Sequence, residues 1–226
     1  LSEIGRLKGV QELLALRDSW KNFGDAAREA FAKALAMQAA EDAIPVLGDL
    51  AGDSNWRVRF RAAIGLGATR SARAGPFILK VLGDSKPEVF KVGLFWCTDT
   101  FILKPEEYFP KLISRLRLTE DGSIVRPILH ELTLMWDPGL GQWLSKGEDP
   151  ARRLNYPALG VWKDRALLSA LETMIGHRDH RLAMDAIMVL IKMGAELRSE
   201  TVLQAIGKFS IEDQRWFCVR MRDSRV

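Results

Sequence analysis

The chain has 226 residues, of which 47% are hydrophobic and 27% are charged. This balance is typical of a folded protein rather than a disordered one, and the chain is long enough for one continuous core or two small domains. No apolar run approaches the roughly 18 residues that span a bilayer, so we expect no membrane segment. Leu1 stands where a complete chain has Met. We therefore expect a trimmed or processed chain, or a domain of a larger protein, from which an anchor or targeting signal can have been lost.

Positive charge is concentrated in one stretch of the chain. The formal net charge is +4, but residues 54–83 carry six Lys/Arg and no Asp/Glu, whereas residues 1–53 carry six Lys/Arg and nine Asp/Glu. Such a local excess of cations predicts a contact with an anionic partner in that stretch.

Apolar residues recur at three- and four-residue spacing along most of the chain, which predicts one helix after another. We expect helical pairs at about 8–20 and 24–38, 41–52 and 55–68, 72–83 and 86–101, and 105–117 and 122–136. Prolines and glycines then predict an irregular insertion at about 137–162. Further helices are expected at about 163–176, 179–194, 198–208 and 211–222.

One segment nearly repeats itself further along the chain. The run that begins at Asp53 and ends at Gly67 is matched by the run that begins at Asp84, and residues 176–190 align with residues 52–66. We call the spacing from Asp53 to Asp84 the repeat period. A fixed period of this size indicates stacked helical hairpins. In the first copy, the residues at helical spacing that should share the buried face are Val58, Ala62, Ala63 and Leu66.

The pattern Asp-x-x-x-x-Val-Arg, followed by paired small residues and Leu-Gly, resembles the short bacterial HEAT-like repeat, also called the phycobilisome-lyase-type repeat. The copy that begins at Asp84 departs from this pattern, because Phe90 replaces the arginine. The resemblance implies an all-α, right-handed α-solenoid (superhelix) of about five to six HEAT-like helical hairpins, here in a single domain covering residues 1–226. It also implies that Arg59 pairs with the Asp of an adjacent turn. We therefore expect Asp53, Arg59 and Asp84 to be structural.

The opposite face of the helix that contains Arg59 carries a candidate binding site. Arg57 and Arg61 lie four residues apart beside Trp56, and Arg70 and Arg73 follow in the next turn. In solenoids of this type the second helix of each pair lines the concave surface, so these residues form a predicted concave basic patch. Cations beside an aromatic ring can bind phosphates and stack on a base, or bind an acidic protein surface.

Neighbouring repeats do not continue the column of positive charge. Ala26 and Glu88 occupy the place of Arg57, and Ala30 and Val92 occupy that of Arg61. A groove that tracks nucleic acid needs positive charge over several repeats. An acidic protein partner is therefore favoured over nucleic acid.

We expect a non-catalytic adaptor or scaffold module that binds another protein on its concave face. Trp143, Tyr156 and Trp162 flank the irregular insertion, and aromatic residues on a loop often form a recognition surface. They are a second candidate binding region. The alternative is that they fill the place where the solenoid changes direction.

Two other functions remain open. Alkylpurine DNA glycosylases are HEAT-like proteins of about this length with a basic concave face and a catalytic Asp. Here no Trp-Trp-Asp-like cluster can be placed on a concave helix, so the comparison fails at the catalytic residue. A chromophore-lyase-like role, suggested by the repeat type alone, would require a deep apolar groove able to hold a tetrapyrrole.

Metal, cofactor and nucleotide sites are not expected. His177 and His180 form a His-x-x-His cluster at a helix start, which favours capping and turn contacts, since zinc normally needs four ligands, or three and a water. The Gly-Leu-Gly at 65–67 lies inside a predicted helix and is no phosphate loop. Cys97 and Cys218 are expected to be free, buried thiols, which favours a reducing compartment such as the cytoplasm.

Overall fold

The structure, a computed structural model, describes residues 3–99, 102–135, 165–193, 195 and 199–223. These residues contain helices and turns and no strand, which confirms the all-α prediction for this part of the chain. Three short 3-10 turns occur at Trp20–Asn22, Glu41–Ala43 and Ala72–Ala74. The α-helices are α1 Glu3–Leu14, α2 Asp25–Gln38, α3 Ile44–Leu50, α4 Trp56–Ala68, α5 Gly75–Val81, α6 Pro87–Asp99, α7 Pro105–Leu118, α8 Gly122–Met135, α9 Arg165–Met174, α10 His180–Lys192, α11 Ser199–Ile206 and α12 Ile211–Asp223.

The repeat period of the sequence reappears in the helix bounds. The 3-10 turn at 41–43, α3 and α4 recur one period later as the turn at 72–74, α5 and α6. Pro45 and Pro76 lie in the first turns of α3 and α5, where a proline costs no helical hydrogen bond because the first amides have no acceptor within the helix. The repeated sequence therefore produces a repeated hairpin.

The first predicted helix differs from the observed one. We expected it at about 8–20, but α1 ends at Leu14 and is followed by turns and the short 3-10 turn that begins at Trp20. The amides of Leu16 and Arg17 donate to carbonyls three residues back, and the Ser19 hydroxyl donates to the carbonyl of Leu16. These tighter bonds end the α-helix.

The chain forms two compact units, residues 1–111 and residues 112–226. In the first unit, α4 packs against α2, α3 and α6, and the predicted face of Val58, Ala62, Ala63 and Leu66 is buried as expected. Gly65 permits the close approach of α2, because a Cβ there would lie 2.9 Å from the Cα of Ala36. The Gly-Leu-Gly at 65–67 therefore serves helix packing inside α4.

In the second unit, α10 packs against α8, α9, α11 and α12. Its apolar side is almost wholly buried, from Leu182 to Leu190. The predicted insertion at about 137–162 lies outside the described residues, and the assignment of residues 1–226 to a single domain stays a prediction. Among the described residues, none of the helices combines the length and apolar character that crossing a bilayer requires.

The two cysteines differ in environment. Both are free, and Cys97 is buried on α6, as expected, where burial raises the pKa of its thiol. Cys218, on α12, is exposed, so the expectation that both thiols are buried was wrong. Helical periodicity placed Cys218 in an apolar stretch, but that side of α12 faces outward.

Two turns that follow second helices use the left-handed backbone conformation without glycine. Ala39 follows α2 with φ 49°, and Arg70, at the equivalent place one period later, has φ 50°. The amide of Arg70 donates to the carbonyl of Gly67 at 3.0 Å, which closes the end of α4. The residue predicted to bind an anion therefore lies at a strained turn.

Substituting Arg70 with glycine should raise the free energy of unfolding by about 0.5–1 kcal/mol, because glycine adopts positive φ without steric cost. Chemical denaturation measures the change. Arg70→Ala is the matched control, since it removes the side chain and retains the strain, and it should leave stability nearly unchanged. Equal gains from both substitutions would assign the effect to the loss of charge.

Candidate functional site

The start of α4 is fixed by side chains of the preceding turn. The amide of Asn55 donates to Oδ1 of Asp53 at 2.8 Å, and the side-chain oxygen of Asn55 accepts from the amide of Arg57 at 3.0 Å. One repeat later, Asp84 accepts from the amide of Lys86 at 2.8 Å. These caps satisfy amides that lack a helical acceptor, and they set the position of the side chains at the start of the helix.

The same aspartates hold arginines of the preceding hairpin. Nε of Arg59 lies 2.6 Å from Oδ2 of Asp84, and a second guanidinium nitrogen lies 2.9 Å from Oδ1. Arg28 binds Asp53 in the same two-pronged way, at 2.7 and 3.1 Å. Hydrogen bonding to these carboxylates raises the pKa of both guanidinium groups. Asp53, Arg59 and Asp84, predicted as structural, therefore lie in one ladder of ion pairs.

Arg28 is a member of this ladder that sequence reasoning missed. It precedes Arg59 by one repeat period, as Asp53 precedes Asp84. The period could have identified it, although Ala27 stands before it where the pattern has Val.

In the second unit, His177 and Asp179 together make the two contacts that Asp53 makes alone in the first unit: the turn hydrogen bond and the ion pair. Asp179 binds Arg126 across 3.3 Å and caps α10 by accepting from the amide of Arg181 at 3.0 Å. Nδ1 of His177 accepts from the amide of Asp179 at 2.9 Å, the turn contact that Asp53 makes in the first unit. His177 therefore has the turn role that we predicted for it.

Trp56 and Arg57 lie at the start of α4, with Arg57 exposed. The guanidinium carbon of Arg57 lies 5.5 Å from the centre of the Trp56 ring, and Nζ of Lys86 lies at the same distance. Two cations thus approach one indole, each within cation–π range. Lys86 was not among the predicted site residues, because it comes from the next repeat.

The other predicted cations differ from Arg57 in their partners. Nε of Arg61 lies 3.4 Å from a carboxylate oxygen of Glu29, and Arg73 lies 3.7 Å from Glu41. Arg70 is exposed at its strained turn. Carboxylates of the preceding hairpin therefore offset part of the positive charge that the sequence concentrates here.

An open groove of about 410 Å³ lies between α4 and α6. Its apolar walls are Phe60, Ile64, Val92, Phe95 and Trp96, with Glu88 and Lys91 at the rim. The Trp96 ring lies against α4 because Gly67 has no side chain, and a Cβ there would collide with the indole. Sequence reasoning did not find this groove, since it requires the relative register of two helices.

Trp143, Tyr156 and Trp162, the second predicted binding region, lie outside the described residues. Within the described ranges, no group of three or more His, Cys, Asp or Glu side chains is arranged to hold a metal ion.

Comparisons with known proteins identify a repeat type. The family model described as HEAT repeats matches residues 10–92. Among solved structures, the chain is similar to an engineered protein, structural-genomics target OR329, with 14% identity, a TM-score of 0.46 and 95% of each chain covered. It is also similar to a chain from the structure of Kap95p binding to RanGDP, with 13% identity and a TM-score of 0.46, covering 99% of this chain and 31% of that one. No curated protein matches the chain.

Proposed function

Because residues 10–92 match HEAT repeats, we propose that this chain is a non-catalytic adaptor or scaffold module that binds an acidic protein partner. The binding surface is the exposed side of the second helices of the first unit, centred on Trp56, Arg57 and Arg61. We name it the second-helix surface. It corresponds to the concave face of the expected solenoid, and the aromatic residues at 143, 156 and 162 form a second contact region.

The observation that supports this proposal most is that one side of α4 is solvent-exposed and carries Trp56 and Arg57. The helix packs through Val58, Ala62 and Leu66, while Arg57 is exposed and Trp56 is half-exposed on the other side. Tryptophan and arginine are the residue types most enriched at the energetic centres of protein interfaces. A folded repeat does not require them at such positions, so binding accounts for them better than packing does.

Charge on this surface favours an acidic protein. Cations outnumber carboxylates along the exposed sides of α2, α4 and α6 and the turn before α6. The cations are Lys33, Arg57, Arg61, Lys86 and Lys91, and the carboxylates are Asp25, Glu29 and Glu88. Interspersed carboxylates would repel a continuous phosphate backbone, whereas a protein partner can place its own cations opposite them.

We also propose a reducing compartment, such as the cytoplasm. The support is Cys97, a free thiol buried in a helical core, of a kind found in proteins that do not depend on disulfides.

Selection from a random peptide library tests the proposal. Peptides enriched on the wild-type chain should be acidic, and Arg57→Glu with Arg61→Glu should weaken their binding at least about tenfold, as measured by fluorescence anisotropy. Lys208→Glu with Arg215→Glu changes the net charge equally on the second unit and should leave binding unchanged. Both double variants should keep their stability within about 1 kcal/mol, because these charges are partly or fully exposed.

Two outcomes would contradict the proposal. One is that no peptide is enriched, and the other is that both charge reversals weaken binding equally. Duplex DNA provides a further comparison: binding that falls by orders of magnitude as salt is raised would instead favour a nucleic-acid-binding protein.

A further inference from the structure

We propose that the groove between α4 and α6 accepts a bulky apolar side chain from an acidic segment of the partner protein. This inference rests on the proposed function, because it specifies what the second-helix surface recognises. The groove is defined by its five apolar walls, Phe60, Ile64, Val92, Phe95 and Trp96.

The groove exposes apolar surface that packing leaves uncovered. Phe95 is 51% exposed, and the other four wall residues are all half-buried, although each lies on a helix that has a fully buried side. The rings of Phe95 and Trp96 meet edge to face, with centroids 5.0 Å apart and planes at 75°. A contiguous apolar patch with a polar rim is characteristic of an interaction site.

The corresponding place one repeat earlier does not have the same apolar walls. There, Glu29 of α2 takes the position of Phe60, and its carboxylate binds Arg61 of α4. This ion pair connects α2 and α4 at the place equivalent to the one where apolar residues face each other between α4 and α6. The apolar walls are therefore not repeated at the preceding step, and we infer that the groove holds one anchor rather than a periodic ligand.

Cations around the groove select the flanking residues of that anchor. The guanidinium carbon of Arg61 lies 5.6 Å from the Phe60 ring centre, and Lys91 is part of the rim. Arg57 lies in the first turn of α4, the helix that carries Phe60. Glu88 is the carboxylate of the rim. An apolar anchor with Asp or Glu nearby in the partner's sequence therefore fits both the groove and its surroundings.

The shape of the groove favours a protein side chain over a small molecule. Small-molecule pockets enclose most of the surface of their ligands, whereas this groove is open along its length. A side chain needs less enclosure, because the rest of its peptide makes further contacts outside the groove. An amphipathic helix with apolar residues three or four positions apart is one such peptide.

The test uses the full chain and the peptides enriched from the random library. These peptides should share a Leu, Ile, Met, Phe or Trp close to acidic residues. Phe95→Ala should weaken their binding at least about tenfold, and Phe95→Glu should weaken it further by repelling the acidic residues. Leu203→Ala, which truncates an exposed leucine on the second unit, is the control and should have no effect.

The proposed function and the groove can fail separately. Enriched acidic peptides that lack a bulky apolar residue, or that bind Phe95→Ala as tightly as wild type, would overturn the groove and leave the adaptor function intact. The absence of any enriched peptide would overturn both. Self-association in sedimentation experiments that Phe95→Ala abolishes would identify a second copy of the chain as the occupant, and would also overturn the inference.

Discussion

Replacing Phe90 by alanine is expected to lower the free energy of unfolding by about 4 kcal/mol. Phe90 lies on α6 and is 0% exposed. It takes the place that Arg28 and Arg59 occupy in the two preceding hairpins. Removing the ring loses its burial and leaves a cavity that the surrounding helices cannot fully close. Urea denaturation followed by circular dichroism measures the loss.

Two substitutions at Phe90 separate the possible causes. Phe90→Leu keeps most of the apolar volume and should cost less than about 1.5 kcal/mol. Phe90→Arg restores the arginine of the repeat pattern, yet it should destabilise at least as much as alanine, because the cation would enter a fully buried apolar site. Wild-type stability in Phe90→Arg would show that the ladder can extend to this hairpin and that the ring is not a core residue.

Removing the Arg59 side chain should lower the free energy of unfolding by about 2 kcal/mol. The loss is smaller than the roughly 3–5 kcal/mol typical of a fully buried pair, because solvent reaches and screens part of the guanidinium. In Arg59→Ala, the largely buried carboxylate of Asp84 and the carbonyl of Asp53 both lose the hydrogen bonds that the guanidinium donates. Thermal and urea denaturation of the variant check this expectation.

A double-mutant cycle identifies the pair as the cause. Asp84→Asn removes the charge and keeps an oxygen that can accept from the amide of Lys86, so the cycle with Arg59→Ala isolates the ion pair. We expect a coupling energy of about 1 kcal/mol or more. Arg57→Ala, two residues away on the exposed side, should change stability by less than about 0.5 kcal/mol. Equal losses from Arg57→Ala and Arg59→Ala would contradict the assignment of the two faces of α4.

The sequence was most informative where the repeat is regular. The repeat period predicted α3 to α6 within a few residues, because each hairpin repeats the same caps, prolines and small packing residues. The buried side of α4 followed from helical spacing alone. At α1, where the repeat is irregular, a helix was predicted correctly but its bounds of about 8–20 were wrong, since local turn bonds after Leu14 compete with the helix.

Contacts between repeats were harder to predict. The partners of Arg61 and Arg73 are carboxylates of the preceding hairpin, and nothing near either arginine in the sequence indicates them. The groove likewise depends on how Phe60 of α4 faces Phe95 of α6 across the helix interface. Such contacts depend on the distance and rotation between helices, which a one-dimensional pattern does not contain.

The double use of Asp53 ties local structure to long-range structure. One carboxylate closes the turn before α4 and also holds Arg28 of the preceding hairpin. Opening this turn therefore also weakens the contact with the preceding hairpin, and detaching that hairpin removes a partner of the turn. Adjacent repeats of the first unit are therefore expected to unfold cooperatively. The amide hydrogens along the ladder should then exchange with solvent at similar rates.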